Sequence, residues 1–67
     1  MEKGKTVADR LREARLEKGF TVKDVAEGCN ITESAVRMYE IGQRVPRDGI
    51  KIRMAKFFGK TVQNLFF

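Results

Sequence analysis

The chain contains no histidine and only one cysteine, Cys29. Protein metal sites are usually built from clusters of histidine and cysteine, and imidazole is the most frequent general base in enzymes. A lone cysteine also has no partner within the chain for a disulfide. The composition therefore argues against an enzyme, against a metal ion or other cofactor, and against a fold held together by disulfides.

Long apolar runs are also missing, since no stretch reaches the apolar length of a signal peptide or a membrane-spanning helix. We therefore expect a cytoplasmic protein that does not use a membrane. Of the 67 residues, 42% are hydrophobic, which is too many for a disordered polyelectrolyte, and 34% are charged. A chain of this length has room for one domain, and we expect residues 1–67 to form it.

Acidic residues are scarce in the second half of the chain. Up to Val36, seven basic residues accompany seven acidic ones, whereas from Arg37 onward seven basic residues accompany only Glu40 and Asp48. Lysine and arginine gain affinity for nucleic acids by displacing the counterions condensed on phosphates, so this asymmetry favours a polyanionic partner. A basic face that contacts only solvent is the alternative that charge leaves open.

Residues that end helices or form turns divide the sequence at four places. They are Gly19, Asn30, Gly42 with Pro46, and Gly59. Several of the intervening segments begin after a threonine suited to an N-cap, and they carry apolar residues at helical spacing. The predicted helices are about 7–18, 22–29, 33–41 and 48–58, and a fifth that follows Thr61. No stretch alternates polar and apolar residues like a strand, so we predict a compact all-α fold of five helices.

The second and third predicted helices have the dimensions of a helix-turn-helix motif over about residues 22–41. In such a motif the second helix enters the major groove of DNA. If Val36 and Tyr39 face the core, the opposite face of this helix is left to contact a ligand. The side chains on that face are Glu33, Ser34, Arg37 and Met38.

A longer pattern of residues carries a resemblance to a known family. Its stretches are Leu11-Arg12-Glu13-Ala14-Arg15, Lys18-Gly19-Phe20-Thr21, Val25-Ala26, Ile31-Thr32, Val36, Tyr39-Glu40, Gly42, Pro46, Ala55 and Leu65. In order and spacing they resemble, without a gap, the helix-turn-helix domains of the phage-repressor and Cro type (the XRE family), from about Val7 to Phe66. The resemblance implies a regulator that binds double-stranded DNA. It also implies a partly buried ion pair between Arg15 and Glu40 that orients the recognition helix.

The resemblance further implies base contacts from the first turns of the recognition helix. The matching positions are Thr32, Glu33, Ser34, Ala35 and Met38, with Arg37 close by. Arg37 suits guanine, Glu33 suits the amino group of cytosine, and Met38 suits a thymine methyl group. Three alternatives stay open, because Glu33 also suits the helix dipole, Met38 also suits packing, and Arg37 also suits a phosphate.

Phosphate contacts are expected at two places that flank the recognition helix. They comprise Thr21, Val22 and Lys23 at the N-terminus of the second helix, where amides and the helix dipole favour an anion, and Gln43 and Arg44 in the loop. The sequence departs from the family at Val22, where a polar side chain is usual, so a contact there needs the backbone amide. It departs again at Asp48 and Lys51, which occupy usually apolar positions and put the packing of the fourth helix in question.

The C-terminal segment, residues 62–67, is strongly apolar, and Phe57 adds to it if Phe58 is the core residue. It predicts a role shared between the core and a homodimer interface, and the alternative is that its aromatic residues only close a small core. We expect a homodimer that contacts two half-sites about 34 Å apart and represses or activates a promoter. Neither a cofactor nor a small-molecule substrate is expected.

Two other functions compete with DNA binding. A protein-docking module, such as an antitoxin or an adaptor, keeps the helix-turn-helix only as a scaffold, and Val22 and Glu33 are the residues that favour it. A membrane-surface module is disfavoured, because Gly42 and Pro46 interrupt any long amphipathic face.

Overall fold

The computed structural model describes residues 6–67. This part of the chain forms five α-helices and no strand, which confirms the predicted all-α class. The helices are α1 (Val7–Lys18), α2 (Val22–Cys29), α3 (Glu33–Glu40), α4 (Asp48–Phe58) and α5 (Val62–Phe66). The third helix is one residue shorter than predicted, because Ile41 leaves helical geometry at φ −100° and ψ 2° and forms the C-cap.

Threonine side chains begin four of the five helices. In each case the hydroxyl oxygen accepts a hydrogen bond from the backbone N–H three residues later, at 3.0 to 3.1 Å. The capping residues are Thr6, Thr21, Thr32 and Thr61. Each such cap stabilises its helix by about 1 kcal/mol. Left-handed residues at Gly19, Asn30 and Gly59 then end α1, α2 and α4, so most helix ends are set by local hydrogen bonds.

The five helices pack around one hydrophobic core. Helix α1 contacts α3, α4 and α5, while α2 lies against α3 and α4. The buried core residues are Leu11, Ala14, Val25, Ala26, Cys29, Val36, Tyr39, Met54, Phe58, Leu65 and Phe66. Every helix contributes at least two of them, so each short helix is stabilised by burial against the others.

The C-terminal segment divides between core and surface. Leu65 and Phe66 are buried in the core of the chain itself, and only Phe67, at 72% exposure, is an exposed apolar residue there. Lys51 lies beside this segment, with its ammonium 5.7 Å from the ring centre of Phe66 and 5.1 Å from that of Phe67. Because its ammonium lies over two aromatic faces, a lysine is accommodated at a position where an apolar residue was expected.

An aromatic cluster joins the start of α2 to α4. The ring centres of Phe20 and Phe57 are 4.8 Å apart, and those of Phe57 and Phe58 are 5.3 Å apart. Gly28 on α2 makes this contact possible, since a Cβ atom at that position would overlap the ring of Phe57. The close approach of α2 and α4 therefore depends on a residue without a side chain.

Cys29 lies in the core, and its burial raises the pKa of the thiol to about 11, against a smaller opposing effect of the Arg53 charge. Between pH 9 and 11 the folded chain therefore binds more protons at this thiol than the unfolded chain does. The contribution of this thiol to the free energy of unfolding therefore falls as the pH rises through that interval. We expect the stability difference between the wild type and Cys29→Ala, measured by urea denaturation, to shrink across it. A difference that stays constant would contradict this expectation.

Candidate nucleic-acid interface

Helices α2 and α3 are held at a fixed angle by a tight turn and a shared apolar contact. Asn30 adopts the left-handed conformation at φ 59°, and the N–H of Ile31 then donates to the carbonyl of Ala26 at 2.9 Å. Thr32 follows immediately as the N-cap of α3. Since both helices bury residues in the same core, the angle between them is set by packing as well as by the turn.

The two faces of α3 differ sharply in exposure. Val36 and Tyr39 are 1% and 5% exposed and lie against the core. The outward face is solvent-accessible over more than a full turn. Its exposed side chains are Glu33, Ser34, Arg37 and Met38. An outward face of this kind, on a helix anchored along its other side, is free to enter a groove.

Thr32 and Ala35 are less accessible to a ligand than that outward face. The hydroxyl of Thr32 is exposed, but it already accepts the N–H of Ala35 at 3.0 Å as the helix cap. Ala35 is half-buried and packs against the core cluster. The structure therefore leaves Thr32 a hydroxyl hydrogen to donate and leaves Ala35 only part of its methyl surface.

Glu33 and Arg37 form an ion pair along the outward face of α3. A terminal guanidinium nitrogen of Arg37 lies 3.5 Å from a carboxylate oxygen of Glu33, one helical turn away. The side chains are 44% and 62% exposed for Glu33 and Arg37, so both remain accessible to solvent. The pair adds no net charge to the centre of this face.

The N-terminus of α2 is one of the two places at which the sequence predicts phosphate contacts. Thr21 and Asp24 form a reciprocal capping box, with hydrogen bonds of 2.8 and 3.0 Å. The backbone N–H and the hydroxyl of Thr21 hold the pKa of the Asp24 carboxyl below its ordinary value. The amides of Val22 and Lys23, in the first turn, have no intrahelical acceptor. They are the backbone donors that this end of α2 offers to an anion.

The loop after α3 is bonded to the end of that helix. The N–H groups of Gln43 and Arg44 both donate to the carbonyl of Met38, at 3.0 and 3.3 Å. Gly42 makes the turn possible with a φ of 80°. Both loop side chains are exposed, so the loop presents Gln43 and Arg44 directly beside the C-terminal end of α3.

Arg47 is a cationic residue at this edge that the sequence analysis missed. It is exposed and forms the N-cap of α4 without a side-chain cap of its own. Arg44 and Arg47 line one shallow groove together with Tyr39, Val45 and Ile50. The available signal was a second arginine three residues after Arg44 in a basic half of the chain.

An ion pair anchors the C-terminal end of α3 to α1. The guanidinium of Arg15 donates to both carboxylate oxygens of Glu40, at 2.7 and 3.0 Å, and to the carbonyl of Phe20 at 3.1 Å. The side chains of Arg15 and Glu40 are only 16% and 10% exposed. The hydrogen bonds that Arg15 donates to the Glu40 carboxylate raise the pKa of Arg15 against the opposing effect of burial. The pair joins α3 to α1, and Arg15 also joins both to the turn before α2 through the carbonyl of Phe20.

The turn, the capped α3 and its anchored C-terminus all fall within the part of the sequence that a family model recognises. The helix-turn-helix family model matches residues 11–65. The chain belongs to the helix-turn-helix family of the phage-repressor and Cro type. No curated protein matches the chain.

Membership of the helix-turn-helix family establishes the general function. The family consists of DNA-binding regulators of transcription and is not typically enzymatic. The chain is therefore a DNA-binding transcriptional regulator of the helix-turn-helix class. Among residues 6–67, no helix has both the length and the apolar character needed to cross a bilayer.

Proposed function

We propose that the protein binds a specific double-stranded DNA sequence by inserting α3 into the major groove. The observation that carries this proposal is the exposure of one face of α3 while its other face is buried in the core. Arg37 suits guanine, Ser34 suits several bases, and Met38, at 40% exposure, suits a thymine methyl group. Thr32 and Ala35 contribute at the edge of this surface.

The phosphate contacts in this proposal lie on both sides of α3. On one side are the amides of Val22 and Lys23, with the hydroxyl of Thr21 beside them. On the other side are the loop residues Gln43 and Arg44, and we include Arg47 because it lines the same groove as Arg44. Such contacts position the protein on the duplex, whereas base contacts determine the sequence it selects.

We further propose that the chain, as one domain in the cytoplasm, acts as a homodimer on two half-sites about 34 Å apart and represses a promoter by occupying it. Leu65 and Phe66 are buried in the protomer's own core, so an interface at the C-terminal segment has Phe67 as its apolar side chain. No cofactor takes part in this mechanism.

A protein-docking function is the second candidate. Around the end of α3, Met38, Ile41 and Val45 are 40%, 66% and 64% exposed. Exposed apolar side chains of this kind are typical of protein interfaces when they form one contiguous patch. An antitoxin or an adaptor would use such a surface and keep the helix-turn-helix as a scaffold.

Salt dependence separates the two candidate functions. Affinity for DNA falls steeply with salt, because each neutralised phosphate releases condensed counterions. We expect the protein to bind duplexes of random sequence with an affinity that falls linearly with salt on logarithmic axes. A protein that binds no duplex at low salt would refute the DNA-binding proposal and support protein docking.

Substitutions at the loop and at α3 are expected to differ in kind. Arg44→Ala should weaken binding to all sequences alike and reduce the salt slope by about one, because it removes a phosphate contact. Arg37→Ala and Ser34→Ala should instead change the sequence preference, because they remove base contacts. Selection from a random DNA library, followed by titration of the selected duplexes, measures both effects. An equal loss on all sequences for the three variants would refute this division of roles.

A further inference from the structure

The Glu33 and Arg37 pair lies at the centre of the surface proposed to enter the groove. DNA phosphates repel the carboxylate of Glu33. A residue that lowers affinity for DNA on this surface must therefore have another role. The pair is formed within α3 itself at 3.5 Å, and it is accessible to solvent on both side chains. Arg37 therefore reaches the DNA already beside an anion.

The charges around this pair divide into a neutral centre and cationic flanks. Glu33 cancels Arg37 on the outward face of α3. The other exposed cations of the proposed interface are Lys23 on α2 and Arg44 and Arg47 in and after the loop. Affinity for random DNA depends on the neutralisation of phosphates. It therefore comes mainly from the flanking cations, and the neutral pair of Glu33 and Arg37 adds little to it.

We propose that Glu33 determines specificity by holding Arg37 back from phosphates, a positioning role exerted through Arg37. This inference rests on the proposed DNA-binding function and deepens it. It differs from the direct contact between Glu33 and cytosine that the sequence suggested. In this proposal Glu33 acts on the neighbouring guanidinium of Arg37. Its presence mainly lowers the affinity for DNA of random sequence.

On random DNA, a phosphate contact by Arg37 requires the pair to open. Opening an exposed pair one helical turn apart is a small cost in itself. It also leaves the carboxylate of Glu33 unpaired among phosphates, where like charges repel. Arg37 is therefore a poor phosphate ligand as long as Glu33 is present.

On the preferred sequence, the pair does not need to open. The contact with Glu33 uses one terminal nitrogen of Arg37. A guanidinium has five N–H groups, and the remaining ones can donate to the O6 and N7 atoms of guanine. A base contact by Arg37 therefore keeps the contact with Glu33, whereas a phosphate contact brings the Glu33 carboxylate close to another anion.

The test compares Glu33→Gln with the wild type on two probes, duplexes of random sequence and the duplex that the wild type selects from a random library. We expect Glu33→Gln to bind random duplexes about five to eight times more tightly at 0.1 M salt, with a salt slope steeper by about 0.9, because Arg37 gains a phosphate. Affinity for the selected duplex should change less, so the ratio of the two affinities should fall about fivefold.

Glu17→Gln is the matched control for charge. Glu17 also forms an exposed ion pair, with Lys60 at 3.4 Å, but it lies between α1 and α5. Its removal adds the same unit of charge away from α3, and it should leave the ratio of affinities almost unchanged. A fall in this ratio equal to that of Glu33→Gln would overturn the proposal.

The role of Arg37 is tested by repeating Glu33→Gln in an Arg37→Gln background. There we expect little further change in the ratio, with thermal unfolding of all variants close to that of the wild type. The same fall in both backgrounds would show that Glu33 acts without Arg37 and would overturn the inference. If the wild type binds DNA but Glu33→Gln leaves the ratio unchanged, only the inference fails. If the wild type binds no duplex, the proposed function fails with it.

Discussion

Phe58→Ala is expected to leave most of the protein unfolded in water at room temperature. Phe58 is 2% exposed and contacts the aromatic cluster of Phe20 and Phe57 as well as the core. Replacing a buried phenylalanine by alanine costs about 3 to 5 kcal/mol, through lost burial and the cavity that remains. A chain of this size rarely has more than about 3 to 5 kcal/mol of stability in total. Circular dichroism and urea denaturation measure the loss.

The matched control for this substitution is Phe67→Ala. Phe67 is 72% exposed, and its ring has an ammonium neighbour in Lys51 at 5.1 Å. The same change of side chain at the surface should alter the free energy of unfolding by no more than about 0.5 kcal/mol. Equal destabilisation by the two variants would contradict the assignment of Phe58 to the core and Phe67 to the surface.

Glu40→Ala is expected to destabilise the fold by about 2 to 3 kcal/mol. The substitution leaves the guanidinium of Arg15 with only the Phe20 carbonyl as a partner in a site where that side chain is 16% exposed. An uncompensated charge in a fully buried pair costs about 3 to 5 kcal/mol, and the residual exposure of this pair reduces that cost. Urea denaturation of the variant measures the effect. Because α3 loses its tie to α1, DNA affinity should fall as well.

Two comparisons test whether the destabilisation by Glu40→Ala comes from an unpaired buried charge. Glu17→Ala removes the carboxylate of the exposed pair with Lys60, and it should cost at most about 1 kcal/mol. Replacing Arg15 and Glu40 together by methionine should recover much of the loss, because no charge is then left buried. If Glu40→Ala costs no more than Glu17→Ala, the pair does not anchor α3.

The helix boundaries were predictable because their causes are local. Thr21 and Thr32 bond to backbone groups three residues away, and Asn30 ends α2 by its own backbone conformation. Capping and turn residues of this kind can be recognised within a short stretch of sequence, without knowledge of the rest of the fold. The exposure of Ser34 and Met38 followed in the same way, since helical spacing opposes them to Val36 and Tyr39.

The sequence was less informative where distant segments meet. The C-terminal segment allowed both a dimer interface and a core role, and the structure places Leu65 and Phe66 in the core. The sequence indicated no partner for Lys51 on α4, and its ammonium lies beside the rings of Phe66 and Phe67. No local pattern distinguishes an apolar residue that packs on its own chain from one that packs on a partner.

The five helices and the family to which the chain belongs could be predicted from the sequence alone. These follow from capping residues, turn residues and apolar spacing, which act within a few positions along the chain. Three other features became visible in the packed chain alone: Gly28 accommodates Phe57, Arg47 joins Arg44 at one groove, and some apolar residues remain exposed. Those features depend on how helices distant in sequence pack together, and packing is a property of the whole core.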